Sequence, residues 1–290
     1  MCLVQPVTGT GIWAAQLRYG DGGAIREMAA ELEELGYSAL WIPDVGGDLF
    51  SSVELLLDAT ERTTIATGIL NLWMHPAEET AQQHTRLTAA HGDRFLVGIG
   101  VSHQPLVDRK EAGRYQKPLA AMRTYLDGLD EADEPLPRDR RVLAALGPKM
   151  LELASDRAAG AHPYNVTPEH TAIAREALGP DALVATELAV ALTTDSSVAR
   201  AAARQHLAIY LDLPNYTNNL LRLGFADDDF TDGGSDRLID ALVAWGDEGA
   251  IAARVEEHRD AGADHVCIQV VNEGAGAPRD QWRALAAALT

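Results

Sequence analysis

The chain has 290 residues, 47% hydrophobic and 23% charged, enough apolar material for a substantial core in one large domain over residues 1–290. Its formal net charge of −19, with 24 Lys and Arg against 43 Asp and Glu, is relieved by no basic run. Such a surface repels phosphate backbones, so nucleic acid is not an expected partner.

No stretch reaches the roughly 18 apolar residues of a spanning helix, so no membrane partner is expected either. The opening MCLVQPVTGTGIW lacks the basic segment and apolar run of a signal peptide. Cys2 and Cys267 are too far apart to suggest a disulfide framework or metal-ligand spacing. The expected setting is reducing and cytoplasmic.

Short apolar runs alternate with helical spacing along the chain. GIWAAQL (11–17) reads as a strand, and Ile25, Met28, Ala29, Leu32 and Leu35 mark a helix face that ends at Gly36. SALWIP (38–43) is the second strand, followed by a helix over 51–62. TTIATGIL (63–70) is the third, and its helix opens after Pro76. RFLVGIG (94–100) is the fourth, with a helix near 118–129 and an exposed acidic connection at 130–139. RVLAAL (141–146) and GAHPYNV (160–166) are the fifth and sixth, each leading into a helix. LVATELAVALTT (183–194) is the seventh. Residues 196–262 then carry several helical patterns in succession, and HVCIQVV (265–271) and the helix DQWRALAAAL close the series.

Eight apolar strands alternating with helices predict a parallel sheet buried on both faces. Their number over about 250 residues favours an α/β fold of the (β/α)8 TIM-barrel type, with a helical insertion at about 196–262 between strands seven and eight. An open doubly wound sheet is the other arrangement compatible with the pattern. In a barrel the strand C-termini form the functional face. The residues to read together are therefore Asp44, Asn71, Trp73, His75, Ser102, His103, Gly147, Lys149, His162, Tyr164, Asn165, Thr186, Glu187, Gln269 and Asn272.

These ends do not spell a metal hydrolase, since His75, His84 and His91 lack metal-ligand spacing. Gly-x-Ser-x-Gly and P-loop signatures are absent, and GIGVSH has His103 where a dinucleotide fingerprint needs its third glycine. What remains is an aromatic mouth with amides and imidazoles, suited to a planar organic cofactor. LGPKM (146–150) puts backbone N–H groups at a helix start beside Lys149. It is either a phosphate seat or simply the opening of that helix.

The stretches ALWIPD, ATGILNLWMHPAE, GDRFLVGIGVSHQPL, VLAALGPKMLELA, GAHPYNVTPEHTAIAREALGPDALV, IYLDLPNYTNNLLRLGF, GGSDRLIDALVAWG and AGADHVCIQV together resemble the luciferase-like flavin and deazaflavin superfamily. Within it they resemble the coenzyme F420-dependent oxidoreductases of actinobacteria. The resemblance runs from about residue 10 to the C-terminus, and its specificity lies in the order of the motifs.

It implies a TIM barrel with an insertion between strands seven and eight, and a non-prolyl cis peptide at Gly68–Ile69 behind a deazaflavin ring. It further implies Asn71 beside that ring and Asp44 at its edge, with Ser102 in the cofactor set. Gly147, Pro148, Lys149, Tyr164 and Asn165 are implied at the phosphate and ribityl tail. Two positions depart from the sugar-phosphate dehydrogenases of this group, where a His follows the strand-two Asp and a Glu ends the strand-four motif; here they are Val45 and His103.

His103 is accordingly the candidate catalytic group, an imidazole able to exchange a proton as hydride moves, or else only a polar loop residue. Trp13, Trp73, His75 and Tyr216 are candidate substrate-pocket residues. Trp73 can equally serve core packing and His75 can equally cap a helix, while His162 and His170 read as structural. Asn215, Tyr216 and Asn219 are placed to form a lid. The expected cofactor is F420, with FMN the alternative, and the expected partners are a small-molecule substrate and a second copy of the chain in a homodimer. A barrel that binds a ligand without catalysis is the competing reading from another class.

Overall fold

In the computed structural model the described residues are 7–271 and 276–290. Cys2 and Asn272 lie outside them. Ten strands occur in the order β1 (Gly9–Trp13), β2 (Ala39–Ile42), β3 (Thr64–Thr67), β4 (Leu70–Asn71), β5 (Phe95–Gly100), β6 (Arg141–Leu143), β7 (Gly160–Ala161), β8 (Leu183–Leu192), β9 (Val243–Gly246) and β10 (His265–Val270). All pairings are parallel, and β10 bonds both β1 and β8, which closes the barrel. β3 and β4 form one interrupted stave, and β9 stands outside the eight. The TIM-barrel expectation therefore holds.

The barrel has two buried layers, because successive side chains of a strand point to opposite faces. Trp13, Ala39, Trp41, Ala66, Leu96, Val142, Leu183, Ala185 and Cys267 fill the lumen. Ile12, Leu40, Ile42, Ile65, Val97, Leu143, Val184, Leu188 and Ile268 pack outward under the helices. Around the barrel lie α1 (Gly22–Glu34), α2 (Leu49–Ala59), α3 (Ala77–His91), α4 (Gln104–Lys110), α5 (Pro118–Glu131), α6 (Pro148–Arg157) and α7 (Pro168–Leu178). The series continues with α8 (Ser196–Leu211), α9 (Pro214–Arg222), α10 (Asp236–Leu242), α11 (Glu248–Asp260) and α12 (Arg279–Leu289). Asp or Ser side chains cap α1, α2, α8, α10 and α11, whereas α6 and α7 open on Pro without a side-chain cap.

Three elements differ from expectation. The first strand stops at Trp13 and gives way to a 3-10 turn at Ala15–Leu17, which carries Arg18 to carbonyl groups of the β2–α2 loop. A short α4 precedes the predicted helix of the fourth unit. The insertion is not purely helical: β9 pairs with Ala189–Leu192 of β8. Since Ala189 and Val190 also pair with β10, β9 occupies the opposite edge of β8. That is the edge whose lower part bonds β7 at Leu183 and Val184. The helices of the insertion bury Ala199, Ala203, Leu207, Leu220, Leu238 and Ile239 in a small core of their own over Ala189 and Ala191.

Candidate active site

The third stave shapes the mouth. Ile65 faces Phe95, but five residues later the pairing has slipped by one, with Leu70 opposite Ile99. This is a bulge of the kind that re-aims side chains next to functional sites. The Gly68–Ile69 peptide inside it is cis, as the resemblance implied. Glycines on β5 make room for the bulge. A Cβ on Gly98 would lie 2.0 Å from the Thr67 carbonyl oxygen, and one on Gly100 would lie 2.5 Å from Ile69 Cδ1. The Trp13 indole N–H donates to the Gly68 carbonyl at 3.0 Å. Trp13 is therefore both a lumen wall and a strut for the bulge.

Beyond the bulge, Asn71, Trp73 and His75 each have a partner. The Asn71 Oδ1 accepts from Trp73 N–H at 3.1 Å, and the Trp73 indole donates to Val101 O at 2.7 Å. His75 Nε2 lies 2.9 Å from Asp44 Oδ2, and Asn71 N–H donates to the same oxygen at 3.1 Å. Arg18 completes the group from beneath, 3.2 Å from Asp44 Oδ1, while it also donates to the carbonyls of Pro43, Gly46 and Gly47. Burial by itself would raise the Asp44 carboxyl. The bonds from His75 and Asn71 and the charge of Arg18 outweigh it and hold the group below its ordinary value. Arg18 was missed in the sequence, where only its place just after the first apolar run could have drawn attention.

A second cluster hangs over the mouth from the insertion. The rings of His103, Tyr216, Tyr210 and Tyr164 follow one another at centroid separations of 5.6, 5.2 and 5.4 Å, and Trp13 lies 5.5 Å beyond Tyr164. The Tyr164 hydroxyl donates to Gln269 Oε1 at 2.7 Å and meets the Tyr210 hydroxyl at 3.0 Å. Burial lowers the His103 pKa, against an opposing hydrogen bond to Asn215, so the imidazole is held neutral. Its Nδ1 is buried without a partner among the described residues. Tyr216 and Asn215 of the insertion thus lie against His103, and Tyr210 adds a further ring that the sequence reading did not single out.

The tail-binding candidates divide between two places. Gly147, Pro148 and Lys149 open α6, with Pro148 and Lys149 exposed. Tyr164 and Asn165 lead into α7, and Asn165 adopts a left-handed backbone at φ 53°. Ser102 has the same conformation, φ 55°, at the end of β5. The two helix starts are neighbours, because His170 in the first turn of α7 bonds the Leu146 carbonyl at 2.9 Å. Arg222, at the end of α9, comes within 4.0 Å of where a Cβ on Gly147 would be. Both side-chain polar atoms of Asn165 are buried without partners among the described residues. Two helix N-termini without an N-cap side-chain bond, a lysine and an arginine form a place for an anion, and the orphaned Asn165 amide fits an oxygen-rich guest.

His162 stacks on Trp41 at 4.2 Å and bonds the Ala185 carbonyl at 2.7 Å, in keeping with a structural role. Among the described residues there is no group of three His, Cys, Asp or Glu side chains that could hold a metal ion. No helix in them is long and apolar enough to cross a membrane.

A protein of Mycobacterium tuberculosis named as a coenzyme F420-dependent oxidoreductase is 23% identical over 248 residues, covering 69% of this chain and 70% of its own. The solved structure of an F420-dependent secondary alcohol dehydrogenase with an F420–acetone adduct superposes with a TM-score of 0.76 at 16% identity, over 98% of this chain and 99% of that one. The FMN complex of the oxygenating constituent of 3,6-diketocamphane monooxygenase from Pseudomonas putida, a Baeyer–Villiger enzyme, superposes at 0.66 with 13% identity, over 97% and 96%. At these identities the structures share the fold. Residues 6–265 match the family described as luciferase-like monooxygenase, and the chain belongs to that family of oxidoreductases.

Proposed function

We propose that the chain is a coenzyme F420-dependent oxidoreductase that transfers a hydride between the deazaflavin and a small organic substrate. The observation that carries this reading is the paired starts of α6 and α7 with Lys149 and Arg222 beside them. A cofactor with a long acidic tail uses all of these groups, whereas a single phosphate needs only one helix start. When bound, the deazaflavin supplies the carbon that accepts or gives the hydride. Trp13, the Gly68 bulge and Asn71 would hold the ring. The aromatic wall from Tyr164 to Tyr216 keeps water from the reacting face.

His103 handles the proton. Its bond to Asn215 leaves Nδ1 as the free nitrogen, and a neutral imidazole can take a hydroxyl proton as a substrate is oxidised or return it on reduction. The same proposal includes a homodimer and a cytoplasmic setting.

The test is titration of the protein with F420 and, separately, FMN, following quenching of its five tryptophans. F420 is expected to bind more tightly than FMN, and Lys149→Ala with Arg222→Ala to weaken F420 while leaving FMN nearly unchanged. With a substrate in hand, His103→Gln should lower kcat by about 100-fold or more with little change in KM. Preference for FMN would move the enzyme to the oxygen-using branch of the family, and binding of neither would leave a barrel without the assigned chemistry.

A further inference from the structure

Glu187 is an acid where the barrel has no evident use for one. It lies on β8, two residues beyond Ala185 on the lumen-facing side, and is fully buried. Its backbone N–H donates to Pro163 O at 2.9 Å, and its Oε2 accepts from Asn165 N–H at 3.0 Å. One residue therefore holds the β7–α7 segment at two points, including the left-handed Asn165. The other oxygen, Oε1, has no partner among the described residues, nor do Asn165 Oδ1 and Nδ2.

Covalent geometry keeps these three orphaned atoms within a few ångströms of the Asn165–Glu187 bond, at the level of the mouth. Buried polar atoms left unpaired cost free energy unless a guest satisfies them. Among the described residues no cation pairs with the Glu187 carboxyl.

We propose that Glu187 binds the cofactor as a carboxylic acid, its Oε1–H donating to an acceptor oxygen of the guest beside Asn165, and that ionisation of Glu187 turns this contact into repulsion and expels the cofactor. The inference rests on the cofactor reading above and adds to it a residue and a pH dependence.

Burial raises the Glu187 pKa to about 8, only partly opposed by the Asn165 N–H, so the group is protonated at neutral pH. The titratable groups facing it are Tyr164 from the loop, Tyr210 and Tyr216 from the insertion, and Cys267 alongside on β10. Burial pushes Tyr210 up to about 12 and the other three well above their ordinary values. Glu187 is thus the group of this set whose charge changes between pH 7 and 9.5.

The experiment is the same fluorescence titration run from pH 6.5 to 9.5 on the wild type and on Glu187→Gln, whose amide keeps a donor but cannot ionise. In the wild type, Kd for the bound cofactor should rise about tenfold per pH unit above about 8. The variant should match the wild type within about threefold at pH 7 and stay flat above it, once titration of the free cofactor, common to both proteins, is subtracted. Identical pH profiles in the two proteins overturn the proposal while leaving the cofactor reading intact. Absence of cofactor binding at every pH overturns both.

Should the variant not fold, infrared difference spectra of the wild type at pH 7 decide. Adding cofactor should shift the carbonyl stretch of a protonated carboxylic acid, and an unshifted band overturns the proposal.

Discussion

Asp44 was expected at the ring edge, and its surroundings say how it acts. Its side chain has no exposed surface, and Arg18, His75 and the Asn71 amide all bond to it. It ties the loop after β2 to the end of the third stave. The Arg18 side chain is 1% exposed, and removing its anion strands a buried cation. Asp44→Ala should cost about 3–5 kcal/mol of stability, read as a fall in the denaturant midpoint. A midpoint unchanged within error would show that the pair does not hold the loop.

At the scale of elements, the bulge in the third stave depends on a missing side chain in its neighbour. Gly98→Ala puts a methyl group on the Thr67 carbonyl, at a point where Thr67 Oγ1 also donates to Gly98 O at 2.8 Å. The strands must part or the bulge must move, so the variant should lose several kcal/mol and unfold at a lower temperature. An unchanged melting curve would mean that the bulge shifts freely.

The strands were readable because each is a short apolar run with a helix behind it. β9 was not, because VAWG continues directly from α10 without a turn signal and pairs only with the upper end of β8. Asp44, Asn71 and His103 were legible as polar residues at strand ends. Arg18 and Glu187 were less so: an arginine in a 3-10 turn and an acid inside a buried strand acquire meaning only from partners 26 and 22 residues away.

For the whole molecule, buried histidines and Glu187 set opposing pH slopes. Burial lowers His162, His206 and His258 to about 4 and His265 to about 3. Unfolded histidines take up protons below about 6.5 while these native ones do not, so the unfolded state binds more protons and stability falls as pH drops from about 6.5 towards 4. Each contributes a slope of up to about 1.4 kcal/mol per pH unit.

Glu187 works the other way. Its pKa is raised, so between about 4.5 and 8 the native state holds a proton that the unfolded state has lost, and stability falls as pH rises through that window. Four imidazoles outweigh one carboxyl below 6.5, and the carboxyl acts alone above it. Tm should therefore peak near pH 6.5, and Glu187→Gln should flatten the decline between 6.5 and 8. A wild-type Tm that is level across that upper interval would contradict the assignment.

β8 joins several of these features in one strand. Its lower end pairs with β7, its middle with β10 to close the barrel, and its upper end with β9 of the insertion, while Glu187 projects from it into the mouth. Anyone grafting the specificity of a relative onto this scaffold must treat the lid as stitched to the wall. A chimera cut after β9 would set a foreign edge strand against the four residues Ala189–Leu192 of β8. One that exchanges residues 196–242 alone leaves the native β9 on β8, and with it the seam between the insertion and the strand that carries Glu187.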